Sequence, residues 1–200
     1  MRARLIAFVI SGFLIGALAG VAVLLLTTPK GRQQVESSGT ALIGGPFSLT
    51  GTDGKTVTDQ DFRGRYMLVF FGFTHCPDIC PAELQVIAQA LEQLGDKAKK
   101  VVPIFITIDP ERDTPQAVTE YVKSFGPNFV GLTGSSEAIA AAANAYRVVY
   151  SKVENKASSG GYSVDHSALV YLMDPEGQYV AHFAYGASAQ EIAEKLDKLL

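Results

Sequence analysis

The feature that most constrains this chain is a six-residue apolar run, Tyr66 to Phe71 (YMLVFF), that ends in Gly72-Phe73-Thr74-His75-Cys76-Pro77-Asp78-Ile79-Cys80-Pro81. A run without polar alternation suits a strand buried on both faces, as in a parallel sheet covered by helices. About Ala82 to Leu94 predicts a helix, with Leu84, Ile87, Ala88, Leu91 and Leu94 along one face and Gly95 placed to end it. A second apolar run, Val101 to Ile108, repeats the pattern. It leads through Asp109 to Pro115 into a helix reaching about Phe125, with Asp113 or Thr114 as cap and Pro115 at the first helical position.

The remaining elements are shorter. Phe47 to Thr58 predicts a hairpin turning at Thr52-Asp53-Gly54-Lys55. Asp59 to Arg65 is a connector, and Ser136 to Ala145 an Ala-rich helix. Arg147 to Val153 suits a strand, followed by a loose turn through Gly160-Gly161. Ala168 to Met173 and Gln178 to Phe183 form a hairpin around Asp174 to Gly177, and Ser188 caps a final helix to Leu200. Parallel crossovers followed by an antiparallel hairpin predict an α/β fold: a thioredoxin-like mixed sheet flanked by helices.

Ahead of this domain, Leu5 to Leu26 carries no charge across 22 residues. That length crosses a hydrocarbon core of roughly 30 Å as a helix, so one N-terminal transmembrane helix is expected. The alternative is a cleaved signal peptide, since Ala17-Leu18-Ala19 resembles a cleavage site, but the apolar run continues beyond it. The expected organisation is a cytoplasmic N-terminus at 1–4, an anchor at 5–26, a polar tether at 27–45 and the folded domain at 46–200. The slight basic excess before the span leans toward an inside N-terminus and an exported domain. With four residues ahead of the span there is no room for a transit peptide, so a bacterial inner membrane with the domain in the periplasm is expected. The net charge of −3 builds no basic surface for nucleic acid.

Cys76 and Cys80, the chain's two cysteines, are spaced Cys-x-x-x-Cys at a strand-to-helix turn. Positions i and i+4 of a helical turn face one way, and the helix N-terminus favours the thiolate that binds metal or attacks a disulfide. The bland alternative is a structural disulfide, which a domain of this size does not need. His166 enters through topology. In a thioredoxin-like sheet, the strand from Ala168 lies antiparallel beside Tyr66 to Phe71, so its start meets the cysteine loop. Thioredoxins fill that corner with a cis-proline; here Val164-Asp165-His166-Ser167 stands there. Two thiolates and an imidazole suit Cu(I), and Cu(II) with added weak donors; Zn²⁺ usually wants a fourth ligand. The alternative is an ordinary loop histidine.

Around these three, His75 flanks the site and Asp165 is placed to orient His166, or is simply solvated. Asp78 suits a helix cap. Asp109, Arg112 and Asp113, at the same sheet edge as the cysteines, suit either a charged rim for a partner or a capping and ion-pair cluster. His182 lies away from this corner. A peroxiredoxin-type peroxidase would need a threonine three residues before its cysteine, where Phe73 stands.

Three segments in order, GFTHCPDICP (72–81), DPERDTP (109–115) and VDHS (164–167), resemble the Sco/SenC copper chaperones over about Pro46 to Leu200. The resemblance implies copper binding by Cys76, Cys80 and His166. It also implies delivery of copper to, or thiol reduction of, the dinuclear copper site of cytochrome c oxidase subunit II. The expected function is therefore a non-enzymatic metallochaperone holding one copper, with a copper donor and a thiol reductant as further partners. Its rivals are a thiol–disulfide oxidoreductase that keeps the partner's cysteines reduced, and a copper or redox sensor.

Overall fold

A computed structural model describes residues 43–155 and 161–200; the anchor at 5–26 and most of the tether lie outside the described residues. Among the described residues no helix is long and apolar enough to cross a membrane.

A small antiparallel hairpin comes first, β1 (Ser48–Thr50) with β2 (Thr56–Thr58). A 3-10 turn at Asp59–Phe62 makes up the connector. The central strand β3 (Tyr66–Gly72) is buried from Met67 onward, as its unbroken apolar run requires. The first helix, α1, spans Ile79–Leu94 and ends at Gly95, whose φ of 56° suits glycine. A 3-10 segment, Gly95–Lys100, leads into β4 (Val101–Thr107), which is buried throughout. Then come α2 (Pro115–Lys123) and β5 (Val130–Leu132). They are followed by α3 (Ser136–Ala145) and the strands β6 (Tyr150–Glu154) and β7 (Tyr162–His166). The hairpin β8 (Leu169–Met173) and β9 (Tyr179–Ala184) and the helix α4 (Ala189–Asp197) complete the domain.

The main sheet has the order β5-β4-β3-β8-β9. β3 runs parallel to β4 and β4 to β5, whereas β8 lies antiparallel to β3 and to β9. Pro103 pairs opposite Leu68 on the β3 side but sits just outside the stretch of β4 that β5 covers, beginning at Ile104. A residue with no N–H is tolerated where one edge of the strand is open. Helix α1 packs against α4, α2 against β5 and α3 against β1. This is the thioredoxin-like arrangement of a mixed sheet flanked by helices. β6 and β7 form a separate two-stranded sheet, pairing Tyr150 with His166 and Glu154 with Tyr162.

Two elements differ from expectation. β5 is only three residues long, too short for a hydrophobic period to register. Residues 162–166 form a strand rather than the corner of a loop. Their alternation, with Val164 buried and Asp165 exposed, is a strand signature that the neighbouring Gly160-Gly161 masks.

Candidate metal and dithiol site

The cysteine loop leaves β3 at Gly72 and turns where the Cys76 N–H donates to the Phe73 carbonyl (3.2 Å). Asp113 ties this loop down from the next crossover. One of its oxygens accepts from the Thr74 hydroxyl; the other accepts from the Thr74 N–H (2.9 Å) and the Thr107 hydroxyl (2.6 Å). Helix α1 starts three residues earlier than the expected Ala82, which places Cys80 inside its first turn. Asp78 occupies the capping position, but its side chain caps nothing. The Cys76 sulfur takes that role instead, accepting the Cys80 N–H at 3.4 Å. A helix's first N–H groups need an acceptor, and a sulfur carrying negative charge supplies one.

The two thiols are therefore unequal. Cys76 is half-buried and Cys80 fully buried, and both are free. A hydrogen bond from the Cys80 thiol, helped by the Cys80 and Asp78 N–H groups, lowers the Cys76 thiol to a pKa of about 5 against the opposing effect of burial. Cys80 moves the other way: it donates to Cys76, is buried and faces the Cys76 charge, so its thiol holds its proton.

His166, at the end of β7, sets its Nε2 3.7 Å from the Cys80 Sγ. The strand pairing causes this, because Phe70 near the end of β3 is opposite Val170 near the start of β8. The His166 Nδ1 lies 3.2 Å from the Ser167 carbonyl, which can only accept. The neutral ring therefore carries its proton on Nδ1 and leaves a lone pair on Nε2, facing the sulfur. Burial lowers the His166 pKa, which favours that neutral form. Phe70 and Phe73 meet the imidazole at 6.0 and 6.2 Å between ring centroids, in edge-on contacts. A cleft of about 310 Å³ opens beside Cys76 and His166, walled by Phe73, Pro77, Ile79 and Val164. Among the described residues no three His, Cys, Asp or Glu side chains already stand together as a formed metal-holding group. The contacts run in series instead, Cys76 to Cys80 and Cys80 to His166.

Asp165 is exposed; the Ser167 carbonyl, rather than Asp165, holds the His166 ring. His75 turns toward Asp113, with its Nδ1 3.6 Å from that carboxylate and 3.1 Å from the Thr74 hydroxyl. Asp109 and Asp113 are fully buried and so form no charged rim. Buried carboxylates need partners, and Arg112, Tyr162, Thr74 and Thr107 supply them. His182 is in β9, stacked on Tyr179. Tyr162 and the buried Glu83 are not singled out by the sequence; the alternation of 162–166 is the signal that could have found Tyr162.

A dithiol at the N-terminus of the first helix of this fold, with an imidazole beside the buried thiol, defines a thioredoxin-like thiol protein. The chain belongs to the SCO1/SenC family, which residues 35–200 match. It is 47% identical over 163 residues to the mitochondrial SCO1 homolog 1 of Arabidopsis thaliana, covering 81% of this chain and 48% of the relative. It is 39% identical over 190 residues to a SCO2-like protein of Rickettsia prowazekii, covering 93% of this chain and 92% of the relative. The chain spans about half the length of several mitochondrial relatives it matches. Bradyrhizobium japonicum ScoI, solved with copper bound, superposes with a TM-score of 0.72 at 46% identity, covering 79% of this chain and 99% of that one.

Proposed function

We propose that this chain is a copper metallochaperone, holding one copper ion as cargo between the Cys76 and Cys80 sulfurs and the His166 Nε2. The observation that carries the reading is the His166 Nε2 facing the Cys80 sulfur at 3.7 Å. It stands where a thioredoxin would have its cis-proline, and the described residues contain no cis peptide bond. An imidazole there serves a metal better than it serves a peptide substrate. Sco proteins of similar sequence, solved with copper bound, support the same reading.

The residues divide the work. Cys76 is a thiolate at neutral pH and makes first contact from the cleft. Cys80 gives up its proton as copper arrives, and a side-chain rotation of Cys76 closes the set. Two soft sulfurs and one nitrogen suit Cu(I), and Cu(II) with weak added donors. A three-ligand site on an open cleft leaves room for a partner's thiolate, through which the ion is handed on. The proposed recipient is the dinuclear copper site of cytochrome c oxidase subunit II, with a copper donor and a thiol reductant upstream. The proposed setting is a bacterial inner membrane, with 5–26 as anchor, 27–45 as tether and 46–200 in the periplasm.

The unequal thiols favour one second reading, a thiol–disulfide reductase for the same partner. The Cys76 thiolate attacks a partner disulfide, breaking its S–S bond and forming a mixed disulfide. Cys80 loses its proton and displaces the partner's sulfur, leaving a Cys76–Cys80 disulfide and two partner thiols. An external dithiol must then restore the pair.

His166 separates the two readings. Anaerobic Cu(I) titration of the reduced full-length chain, followed by X-ray absorption, should show two sulfurs and one nitrogen on one copper. His166→Ala should lower copper affinity more than about tenfold and leave dithiol exchange largely intact. Full copper affinity in His166→Ala would end the three-ligand reading.

A further inference from the structure

The strand that carries His166 is gripped at its other end by the Asp109–Arg112 loop. Tyr162 and His166 lie four residues apart on β7 and share a face, about 13 Å from one another along the strand. The Tyr162 hydroxyl donates to Asp109 Oδ1 at 2.8 Å. The Arg112 Nη1 donates to the Tyr162 carbonyl at 3.2 Å, and the guanidinium carbon stands 3.8 Å from the Tyr162 ring centroid. The same guanidinium reaches the cysteine loop, 5.8 Å from the Phe73 ring, and its Nε donates to Asp109. A second tie joins Glu111 to Lys152 on β6 at 2.6 Å. The loop itself is rooted in the sheet, where the Asp109 N–H donates to Thr107 and the Arg112 N–H to the Asp109 carbonyl. Among the described residues β6 and β7 make no pairing with the main sheet, so these side chains supply a registration that strand pairing does not.

We propose that Asp109 and Arg112 form a latch on Tyr162 that sets the position of His166 against Cys80, making them positioning residues for copper capture. The proposal rests on the chaperone reading for its copper consequence, but the mechanical part stands separately. Arg112 is suited to the task because its planar group bonds a carboxylate, bonds a carbonyl and stacks on a ring at once. Lysine keeps the charge and loses that fork.

The test uses the reduced full-length chain with Arg112→Lys and Tyr162→Phe, the second of which removes only the hydroxyl. Hydrogen exchange without copper should quicken about tenfold in residues 150–154 and 162–166 of Arg112→Lys, less in Tyr162→Phe, and stay unchanged in β3 and β4. Copper affinity should fall about tenfold in Arg112→Lys. In a His166→Ala background, Arg112→Lys should cause no further loss, because it acts through that histidine. Unchanged hairpin exchange, or a rise spread evenly over the core, overturns the latch, and so does a copper loss that adds fully to that of His166→Ala. If His166→Ala alone leaves copper affinity intact, the chaperone reading fails, while the latch still stands or falls on the exchange data.

Discussion

Gly72 stands where β3 hands over to the cysteine loop, and replacing it with alanine would drive a methyl group into the buried thiol. The added Cβ would lie 2.8 Å from the Cys80 Sγ, 2.9 Å from a Phe105 ring carbon and 3.1 Å from a Phe70 ring carbon. Ordinary contacts between such atoms are roughly 3.5–4.0 Å. All three neighbours are fully buried, so none can swing into solvent. Overpacking of this kind typically costs about 1–3 kcal/mol. Alanine also stiffens the unfolded chain, which returns about 0.4–1 kcal/mol. A net loss of about 1.3 kcal/mol (range roughly 0–2.6) should therefore appear, about 3–5 °C in Tm at that centre for a domain of this size. Urea unfolding of the reduced, copper-free protein reads it as a lower midpoint with an unchanged slope. Displacement of the Cys80 sulfur should also lift the Cys76 pKa from about 5, because the Cys80 thiol is the main donor to that thiolate. Thiolate absorbance against pH follows this second effect. A variant as stable as the parent, with the Cys76 titration unmoved, would refute the packing argument.

Copper binding at pH 7 should release about one proton per ion: Cys76 has already lost its own, His166 is neutral, and Cys80 must give one up. Below about pH 5, where Cys76 takes up its proton, the count should rise above one and affinity should fall more steeply; calorimetry in buffers of different ionisation heat gives the number, and zero or two at pH 7 would contradict the unequal pair. Glu83 is buried, takes one hydrogen bond from the Gly186 N–H, has no partner for its Oε2 among the described residues, and has a pKa raised by burial. A carboxyl raised in the folded state costs nothing below its unfolded pKa and weakens the fold as pH climbs through the folded value. Glu83→Gln should therefore gain about 1 kcal/mol at pH 7 and little at pH 4, checked by urea midpoints at both.

The sequence by itself determined what depends on neighbours in the chain. The unbroken apolar runs became β3 and β4, and Ser136 to Ala145 became α3 with the Ser135 hydroxyl as its cap. The Cys-x-x-x-Cys spacing put both thiols at one helix start, Cys80 in the first turn and Cys76 in the loop just ahead of it. Strand order carried His166 toward the cysteines across the intervening chain, since an antiparallel partner of β3 must begin where β3 ends. Only the tertiary structure decided the rest. β5 is held by its pairing to β4 and its packing on α2, not by any periodicity of its own. For Asp109 and Asp113 a charged rim and a capping and ion-pair cluster fitted the sequence equally; their partners come from the cysteine loop, β4 and β7 and allow them to be buried. The difference between two identical thiols likewise lies in space. One opens on a cleft and accepts hydrogen bonds, while the other sits in the core and donates. Local patterns set which residues form an element. Desolvation and partner choice follow only when elements distant in sequence close around a side chain.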